Sequence, residues 1–297
     1  MKNHFSLSPF LPLTPYPLPL VLLTLLLYAC GKAEDPIIPL KPTDFDATPR
    51  IIGLSEKLKI KVNQAVTWKT TAGGISQTSA DTLTFTPPPT SGVYKITLKS
   101  TRDPKDSLHL IVVATARAEV FKPMQKGGYV LVFRHTAADV GSDQTGSTVP
   151  EWWKSCDSKL ARQLNDQGKK DAKDIGNILK TMQIPVARVV SSEFCRCFTT
   201  ADLMALGVPT QQSKDLTFAV YEELNRYANT LKVANSQPID TKNTVLSIHA
   251  GFSGNVPMVA PLSNLQWGDA AVFQLQAGQT SRYVATLQVR DFTDLVK

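Results

Sequence analysis

The sequence predicts an α/β domain with a mostly parallel sheet and helices on both faces, preceded by a small all-β sandwich. Two observations lead to this fold class. Short alternating stretches rich in β-branched and aromatic residues recur between residues 47 and 117, with turn signals between them. From residue 118 onwards, continuous apolar runs alternate with stretches of helical periodicity, a pattern typical of buried strands covered by helices.

The first 29 residues are predicted to be an export signal that is not part of the fold. Lys2 precedes the apolar run PLVLLTLLLYAC, which is too short and too poorly flanked for a membrane-spanning helix. The end of this run, LYAC, resembles the lipobox of bacterial lipoproteins, which implies that Cys30 is lipidated. Gly31 follows where an aspartate would favour inner-membrane retention, so we expect the outer membrane, facing the periplasm or the cell surface. An ordinary signal peptide or a single anchor helix is the alternative.

Residues 30–46 are rich in proline and charge and are predicted to be a tether. The chain has 32 basic and 25 acidic residues, a net charge of +7, of which Lys2 in the signal contributes one. This excess suits an anionic substrate. No cluster of basic residues and no aromatic stacking pattern accompanies it, so nucleic-acid binding is not expected.

Residues 47–117 are predicted to form a small antiparallel sandwich, because its alternating stretches are separated by the turn signals AGG, PPPTSG and DPKD. Trp68 is a candidate core residue. Tyr94, in SGVYKITL, resembles the tyrosine corner of immunoglobulin-like domains, which makes the sandwich immunoglobulin-like. His109 alternates with apolar neighbours and is predicted to face outwards. We expect this region to be a spacer, or a module that docks an envelope partner.

Residues 118–297 are predicted to form the α/β domain, from apolar runs and helical periodicity. The predicted strands are residues 129–133, 187–192, 243–249, 270–275 and 282–289. The predicted helices are residues 166–182, 196–206 and most of 217–234.

Three of these strands end in residues that can carry chemistry. Arg134 and His135 follow the first strand, Arg196 lies just past the second, and His249 ends the third. Ligands of such sheets bind beyond the carboxyl ends of the strands, so we expect these side chains to converge. Arg196 stands at a helix start, where its charge opposes the helix dipole, so we expect it to have an anion as partner. A bound ligand and the carboxylate of a surface salt bridge are equal alternatives for that anion. Guanidinium groups bind phosphoryl oxygens in pairs, and a neutral imidazole can attack phosphorus to form phosphohistidine.

Four segments of the chain resemble motifs of the histidine phosphatase (phosphoglycerate mutase-like) superfamily, and they occur in the same order. They are VLVFRHTAAD, LNDQGKKDAKDIG, VVSSEFCRCFTTADLMALG and NTVLSIHAG. The resemblance covers about residues 121–297. It implies a histidine phosphatase-like fold, in which His135 is the phosphorylated nucleophile. Arg134, Arg196 and His249 would then complete the phosphate pocket.

Two departures from the family's pattern bear on the chemistry. Thr136 stands where glycine is most usual, and the resemblance places it beside the bound phosphate. Ala250 stands where the phytase-like branch carries its acid, so that branch is disfavoured. By the resemblance, Glu223 is the proton donor for the leaving alcohol. The glutamate before it, Asp139 and Asp269 are alternatives, and both glutamates could equally be solvated helix charges.

Three cysteines remain once Cys30 is assigned to lipidation, in a compartment that permits disulfides. Counting alone favours one bridge and one free thiol. The resemblance to exported relatives implies that Cys156 and Cys195 form the bridge. No Cys/His spacing resembles a zinc site, and we expect neither a metal nor an organic cofactor.

The sequence therefore predicts an exported, lipid-anchored phosphomonoesterase acting on a phosphorylated small molecule or phosphoprotein through a phosphohistidine on His135. A mutase is disfavoured because such enzymes serve metabolites inside the cell. One alternative is a non-catalytic protein that binds phosphate or an envelope partner. Another is a structural adhesin, which would leave the convergence of the four strand-end residues unexplained.

Overall fold

Three β-sheets and the helices around them form the computed structural model, which describes residues 38–44, 48–217, 220–250 and 256–296. The predicted signal and Cys30 lie outside the described residues. From Leu40 onwards, the described residues belong to one compact unit. No helix in this described part is both long enough and apolar enough to cross a bilayer.

The described strands fall into an earlier and a later group. The earlier strands are β1 (Arg50–Ile52), β2 (Leu58–Lys61), β3 (Val66–Thr70), β4 (Gly74–Ser79), β5 (Thr82–Thr86), β6 (Gly92–Ser100) and β7 (Ser107–Ala114). The later strands are β8 (Tyr129–Arg134), β9 (Val186–Ser192), β10 (Thr210–Ser213), β11 (Asn243–Ile248), β12 (Ala270–Gln274) and β13 (Arg282–Leu287).

The described helices all lie after the earlier strands. The α-helices are α1 (Ala118–Met124), α2 (Asp166–Thr181), α3 (Cys195–Leu203), α4 (Arg226–Asn235) and α5 (Val289–Thr293). Short 3-10 helices occupy Trp152–Lys154, Lys214–Leu216, Glu223–Asn225 and Leu262–Asn264.

The earlier strands form sheet A, in the order β1-β7-β6-β3, and sheet B, in the order β2-β5-β4. One hydrophobic core lies between them, to which sheet B contributes Phe85 and sheet A contributes Ile96 and Val112. The pairing is mixed, because β1 runs parallel to β7 while the neighbouring pairs are antiparallel. The Tyr94 hydroxyl donates to the Thr90 carbonyl at 2.9 Å. That the two sheets have an immunoglobulin-like topology stays a prediction.

Sheet A is also partly buried on its second face, near β1 and the end of β7. This face places Ile51 and Val113 in a second core together with Phe121 of α1 and Ile178 of α2. Each such buried side chain contributes about 2 kcal/mol to folding. The all-β region and the α/β region therefore share a continuous apolar core.

Trp68 is not a core residue, contrary to the prediction. It lies on β3, at the edge of sheet A, and is 41% exposed. An edge strand is paired on one side only, which leaves room for solvent around its side chains. His109 on β7 is exposed, as its alternation with apolar neighbours predicts.

The later strands form sheet C, in the order β10-β9-β11-β8-β12-β13. The expectation of a mostly parallel sheet requires correction, because sheet C is mixed. β10, β9, β11 and β8 run parallel, whereas β12 is antiparallel to both of its neighbours. β12 is reversed because it begins at the carboxyl edge, where its first residue, Ala270, pairs with Phe133 near the end of β8. The carboxyl ends of β8, β9 and β11 still lie at one edge of the sheet.

The central strand β8 is buried on both faces, as its continuous apolar run predicts. Leu131 and Phe133 belong to the core shared with α1, α2, α3 and α5. Val130 and Val132 belong to a core on the opposite face, which includes Tyr227 of α4. Helices therefore cover sheet C on both sides, and the strand ends are held by packing on two faces.

The helix predicted over most of residues 217–234 is shorter than expected. α4 begins at Arg226, and a 3-10 turn precedes it. The Thr217 hydroxyl accepts from the Glu193 backbone N–H at 2.9 Å and donates to the Ser213 carbonyl at 2.8 Å. These bonds hold Thr217 in an extended conformation beside the end of β9 and so delay the helix.

Candidate active site

The structure brings His135, Arg196 and His249 together at the carboxyl edge of sheet C. The parallel register of β8 and β11 sets Arg134 opposite Ile248, and the His135 backbone N–H donates to the Ile248 carbonyl at 3.0 Å. His135 therefore lies beside the residue that precedes His249. The two imidazole centroids are 5.3 Å apart, and the ring planes are inclined at 66° to each other.

Arg196 connects the two histidines. Its side chain is 0% exposed. The guanidinium Nε donates to His135 Nε2 at 3.3 Å, and Nη2 donates to His249 Nδ1 at 3.3 Å. The guanidinium carbon Cζ lies over the Phe194 ring, 4.6 Å from the ring centroid. One edge of the guanidinium, formed by Nε and Nη2, therefore faces both imidazoles.

The hydrogen bonds determine the tautomer of each histidine. His135 Nδ1 is 2.8 Å from the Thr136 carbonyl, which can only accept, so Nδ1 carries the proton. His135 Nε2 then keeps its lone pair and accepts from Arg196. His249 Nδ1 also accepts from Arg196, so its proton is on Nε2, which lies 3.1 Å from Ser192 Oγ.

Both histidines are neutral at physiological pH. Burial lowers the pKa of His135 well below its usual value, and the charges of Arg196, Arg134 and Arg162 lower it further. Burial also lowers the pKa of His249 well below its usual value, again with Arg196 as the strongest neighbouring charge. A neutral imidazole with an unprotonated nitrogen, such as His135 Nε2, is the form that can act as a nucleophile.

Arg134 lies beside this pair and keeps part of its hydrogen-bonding capacity unused. Its Nη1 donates to the Leu265 carbonyl at 2.9 Å, and the guanidinium is 5.8 Å from the Trp267 ring. Its Nε is buried and has no hydrogen-bond partner in the structure. A buried N–H without a partner is unfavourable unless a ligand accepts from it. Burial, and then the charge of Arg162, lowers the pKa of Arg134.

Asp143 is a site residue that the sequence did not reveal. Its carboxylate accepts from Arg196 Nη1 and Nη2, at 2.9 Å each, and its side chain is 12% exposed. Arg196 was expected to need an anion, either a phosphate or the carboxylate of a surface salt bridge; the structure supplies a carboxylate, but the ion pair is buried rather than on the surface. Asp143 lies in the loop that joins β8 to α2, residues 137–165, here called the β8–α2 loop. No periodic pattern in that loop could have singled it out.

Arg162, in the same loop, is a second site residue that the sequence did not reveal. Its charge acts on both Arg134 and His135. Its backbone N–H donates to Asp143 Oδ1 at 3.0 Å. Arg162 therefore adds positive potential to the site and helps to fix Asp143.

The backbone N–H and the hydroxyl of Thr136 both contact another side chain of the protein, that of Thr200. Its backbone N–H donates to Thr200 Oγ1, and the two hydroxyl oxygens are also 3.2 Å apart. Thr200 Oγ1 in turn donates to the Arg196 carbonyl at 2.8 Å. These bonds join the residue after the nucleophile to the helix that carries Arg196. A contact between Thr136 and a substrate stays a prediction.

The predicted proton donor, Glu223, forms an ion pair with Arg226. The Arg226 charge is one of the causes that lower the pKa of His249, so this pair lies within electrostatic reach of the site. Asp269, one of the alternatives, accepts backbone N–H groups on both carboxylate oxygens, from Val289 at 3.0 Å and from Gln266 at 3.1 Å. The identity of the donor stays a prediction.

A disulfide joins Cys156 to Cys195, the pair that the resemblance implies. Cys195 is the first residue of α3 and directly precedes Arg196. The bridge therefore ties the β8–α2 loop to the residue next to the guanidinium. Cys197 is the free thiol among the described residues, and burial raises its pKa to about 12. It is protonated at neutral pH and is not a competing nucleophile.

A cluster of polar and aromatic side chains lies beside the site, around Glu193. Its carboxylate accepts from the Tyr221 hydroxyl at 2.7 Å and from Trp153 Nε1 at 3.1 Å, and Lys154 Nζ is 3.5 Å away. Burial alone would raise the pKa of Glu193, but these hydrogen bonds and the Lys154 charge outweigh it and lower the pKa. Glu193 is therefore ionised and unsuited to donate a proton. Burial raises the pKa of Tyr221 to about 12, and Glu193 adds to this.

The described residues contain no group of three or more His, Cys, Asp or Glu side chains that could hold a metal ion.

No family model matches the chain, and no curated protein matches it. Several solved structures are similar to it. One is the protein histidine phosphatase SixA complexed with tungstate, which is 16% identical in sequence. The match covers 54% of this chain and 97% of the SixA chain, with a TM-score of 0.37. The product of an open reading frame from Mycobacterium tuberculosis is 15% identical, with coverages of 54% and 96% and a TM-score of 0.36. Phosphoserine phosphatase from Entamoeba histolytica, in complex with 3-phosphoglyceric acid, is 12% identical, with coverages of 55% and 98% and a TM-score of 0.34.

Proposed function

We propose that the protein is a phosphomonoesterase that works through a phosphohistidine on His135. One observation carries the proposal. The Nε and Nη2 groups of buried Arg196 face the unprotonated nitrogens of two neutral histidines, His135 and His249. A phosphoryl group between the imidazoles would meet a nucleophilic lone pair and a two-point donor edge together.

The reaction has two displacements at phosphorus. In the first, the His135 Nε2 lone pair forms a bond to phosphorus while the bond to the ester oxygen breaks. The alcohol leaves with that electron pair and takes up one proton. In the second, water attacks the phosphohistidine, the N–P bond breaks, and inorganic phosphate leaves while the water gives up one proton. His135 is regenerated.

The protein stabilises the charge that develops on the phosphoryl oxygens. Arg196 donates from Nε and Nη2, and the buried Arg134 Nε–H supplies a further donor for an oxygen. The Thr136 carbonyl accepts the Nδ1 proton and so stabilises the imidazole as it gains positive charge. Each well-placed donor of this kind is worth about 3 kcal/mol in the transition state. Glu223 is the carboxyl group that we propose as the proton donor.

The proposed setting is the cell envelope. The LYAC sequence supports lipidation of Cys30, which would anchor the protein to the outer membrane, and the disulfide suits an oxidising compartment. Metabolic labelling with a palmitate analogue tests the anchor. Wild type should carry the label, and Cys30→Ala should not. Equal labelling of both would refute the anchor and leave the phosphatase proposal standing.

Turnover of p-nitrophenyl phosphate by wild type, His135→Ala and His109→Ala tests the activity. His109 is an exposed histidine of the all-β region and serves as the matched control. Wild type and His109→Ala should release p-nitrophenol at equal rates, while His135→Ala should lose activity by a factor of about 10⁴ or more. Equal rates for all three would exclude His135 as the nucleophile. Vanadate that stabilises an inactive wild type against heat would instead favour the non-catalytic phosphate-binding alternative.

A further inference from the structure

Asp143 approaches Arg196 from the side opposite to the histidines. A guanidinium group has two donor edges, each of which can hold an anion through two N–H groups. The Nε and Nη2 edge of Arg196 faces His135 and His249, whereas the terminal edge, formed by Nη1 and Nη2, is occupied by the Asp143 carboxylate at 2.9 Å on both nitrogens. The two edges are used at the same time, so the carboxylate does not occupy the space between the imidazoles.

Asp143 is itself held in place. Oδ1 also accepts from the Arg162 backbone N–H at 3.0 Å. The Asp143 carbonyl accepts from the Thr145 N–H at 2.8 Å, and the Gln144 N–H donates to the Leu160 carbonyl at 2.9 Å. The carboxylate is therefore a fixed support, anchored by its own backbone and by the opposite end of the β8–α2 loop.

We propose that Asp143 is a positioning residue, which fixes the rotation of the Arg196 guanidinium so that the Nε and Nη2 edge faces the phosphoryl group. This inference rests on the proposed phosphatase function. With the Phe194 ring packed against it and Asp143 bound to its terminal edge, the buried guanidinium is held in this orientation. Without the carboxylate, the buried guanidinium would turn about its side-chain bonds to find other acceptors, and the donor edge would leave the reacting group.

The substitution Asp143→Asn tests this role, with Asp157→Asn as the matched control. Asp157 is an exposed aspartate of the same loop, and its Oδ1 accepts the Lys159 N–H, as an asparagine oxygen can also do. Rates are measured with p-nitrophenyl phosphate, well below the melting temperature of each variant. We expect Asp143→Asn to lower kcat by about 10- to 100-fold, with KM changed much less, because a misplaced donor mainly affects the transition state. Asp143→Glu should recover part of the loss, and Asp157→Asn should match wild type.

A second measurement reports on Arg196 directly and needs no turnover. In ¹⁵N-arginine-labelled protein, a guanidinium held on both edges shows separate, slowly exchanging Nη signals, assigned by their loss in Arg196→Lys. Wild type and Asp157→Asn should show separate signals, and Asp143→Asn should show averaged ones. If wild type hydrolyses nothing, the proposed function fails, and these spectra still decide whether Asp143 orients Arg196.

Two results would overturn the inference. One is an Asp143→Asn protein with the kcat of Asp157→Asn and unchanged Arg196 signals. The other is an Asp143→Asn protein with increased kcat/KM and tighter inhibition by inorganic phosphate, which would make Asp143 a competitor of the substrate.

Discussion

His135 Nε2 lies 3.3 Å from Arg196 Nε, with the imidazole proton placed on the far nitrogen by the Thr136 carbonyl. The nucleophilic lone pair of His135 and the guanidinium of Arg196, which would neutralise the phosphoryl group, are therefore in direct contact. This arrangement also has a cost in stability. Burial and the nearby arginines keep both imidazoles neutral, and the folded protein must exclude protons that the unfolded chain would bind.

The first prediction concerns stability as a function of pH. The pKa values of His135 and His249 are lower in the folded state than the unfolded value of about 6.5. Below that pH the unfolded chain binds more protons than the folded one, so the free energy of unfolding falls as the pH drops, until the folded-state pKa values are reached. Urea unfolding between neutral pH and about pH 5 measures the slope.

A matched pair of variants isolates the contribution of the nucleophile to that slope. His135→Asn should reduce the pH dependence by up to about one proton, whereas His109→Asn, at an exposed position, serves as the control. An unchanged slope in His135→Asn would show that His135 is not held neutral by the fold.

The second prediction concerns the disulfide between Cys156 and Cys195. The bridge closes a separation of 39 residues, and a loop of that size stabilises a fold by about 4 kcal/mol. It also ties the loop that carries Asp143 to the residue before Arg196. The double substitution Cys156→Ala and Cys195→Ala should lower both the melting temperature and kcat, the latter even well below the melting temperature. A variant that loses stability but keeps the kcat of wild type would limit the bridge to a structural role.

The third prediction concerns Thr136, which the sequence placed beside the substrate. Its backbone N–H and hydroxyl are both directed to Thr200, so Thr136→Val should remove one hydrogen bond and destabilise the fold by about 1 kcal/mol. We expect KM and kcat to stay within about a factor of three of wild type. A loss of about 1 kcal/mol in stability leaves the protein folded, and the folded site keeps its geometry. A large increase in KM alone would instead support a direct contact with the substrate.

Much of the site could be predicted because strand ends are marked in the sequence. The apolar runs before His135 and His249 are buried on both faces of sheet C, and parallel pairing brings their carboxyl ends to one edge. Arg196 was predicted from its charge at a helix start. The positions of these residues followed from the period of the hydrophobic pattern, whereas their proposed roles were implied by the family resemblance.

The residues that were missed act through contacts that no local pattern encodes. Asp143 and Arg162 lie in the irregular β8–α2 loop, where neither strand nor helix periodicity identifies the side chains that turn inward. The helix predicted from residue 217 was too long, because the Thr217 hydroxyl accepts from the backbone N–H of Glu193, which is distant in sequence, and donates to the Ser213 carbonyl. The same limit applied to Trp68, whose exposure depends on its strand being at an edge.

The proposed reaction requires that His135 becomes phosphorylated during turnover. Trapping this phosphohistidine is therefore the decisive experiment. Wild type is mixed with p-nitrophenyl phosphate, quenched in base, where phosphohistidine is stable, and digested for mass spectrometry. We expect an acid-labile phosphate on the peptide containing His135, and none on that peptide from His135→Ala. Release of p-nitrophenol by wild type with the trapped phosphate on a different residue would contradict the proposed reaction.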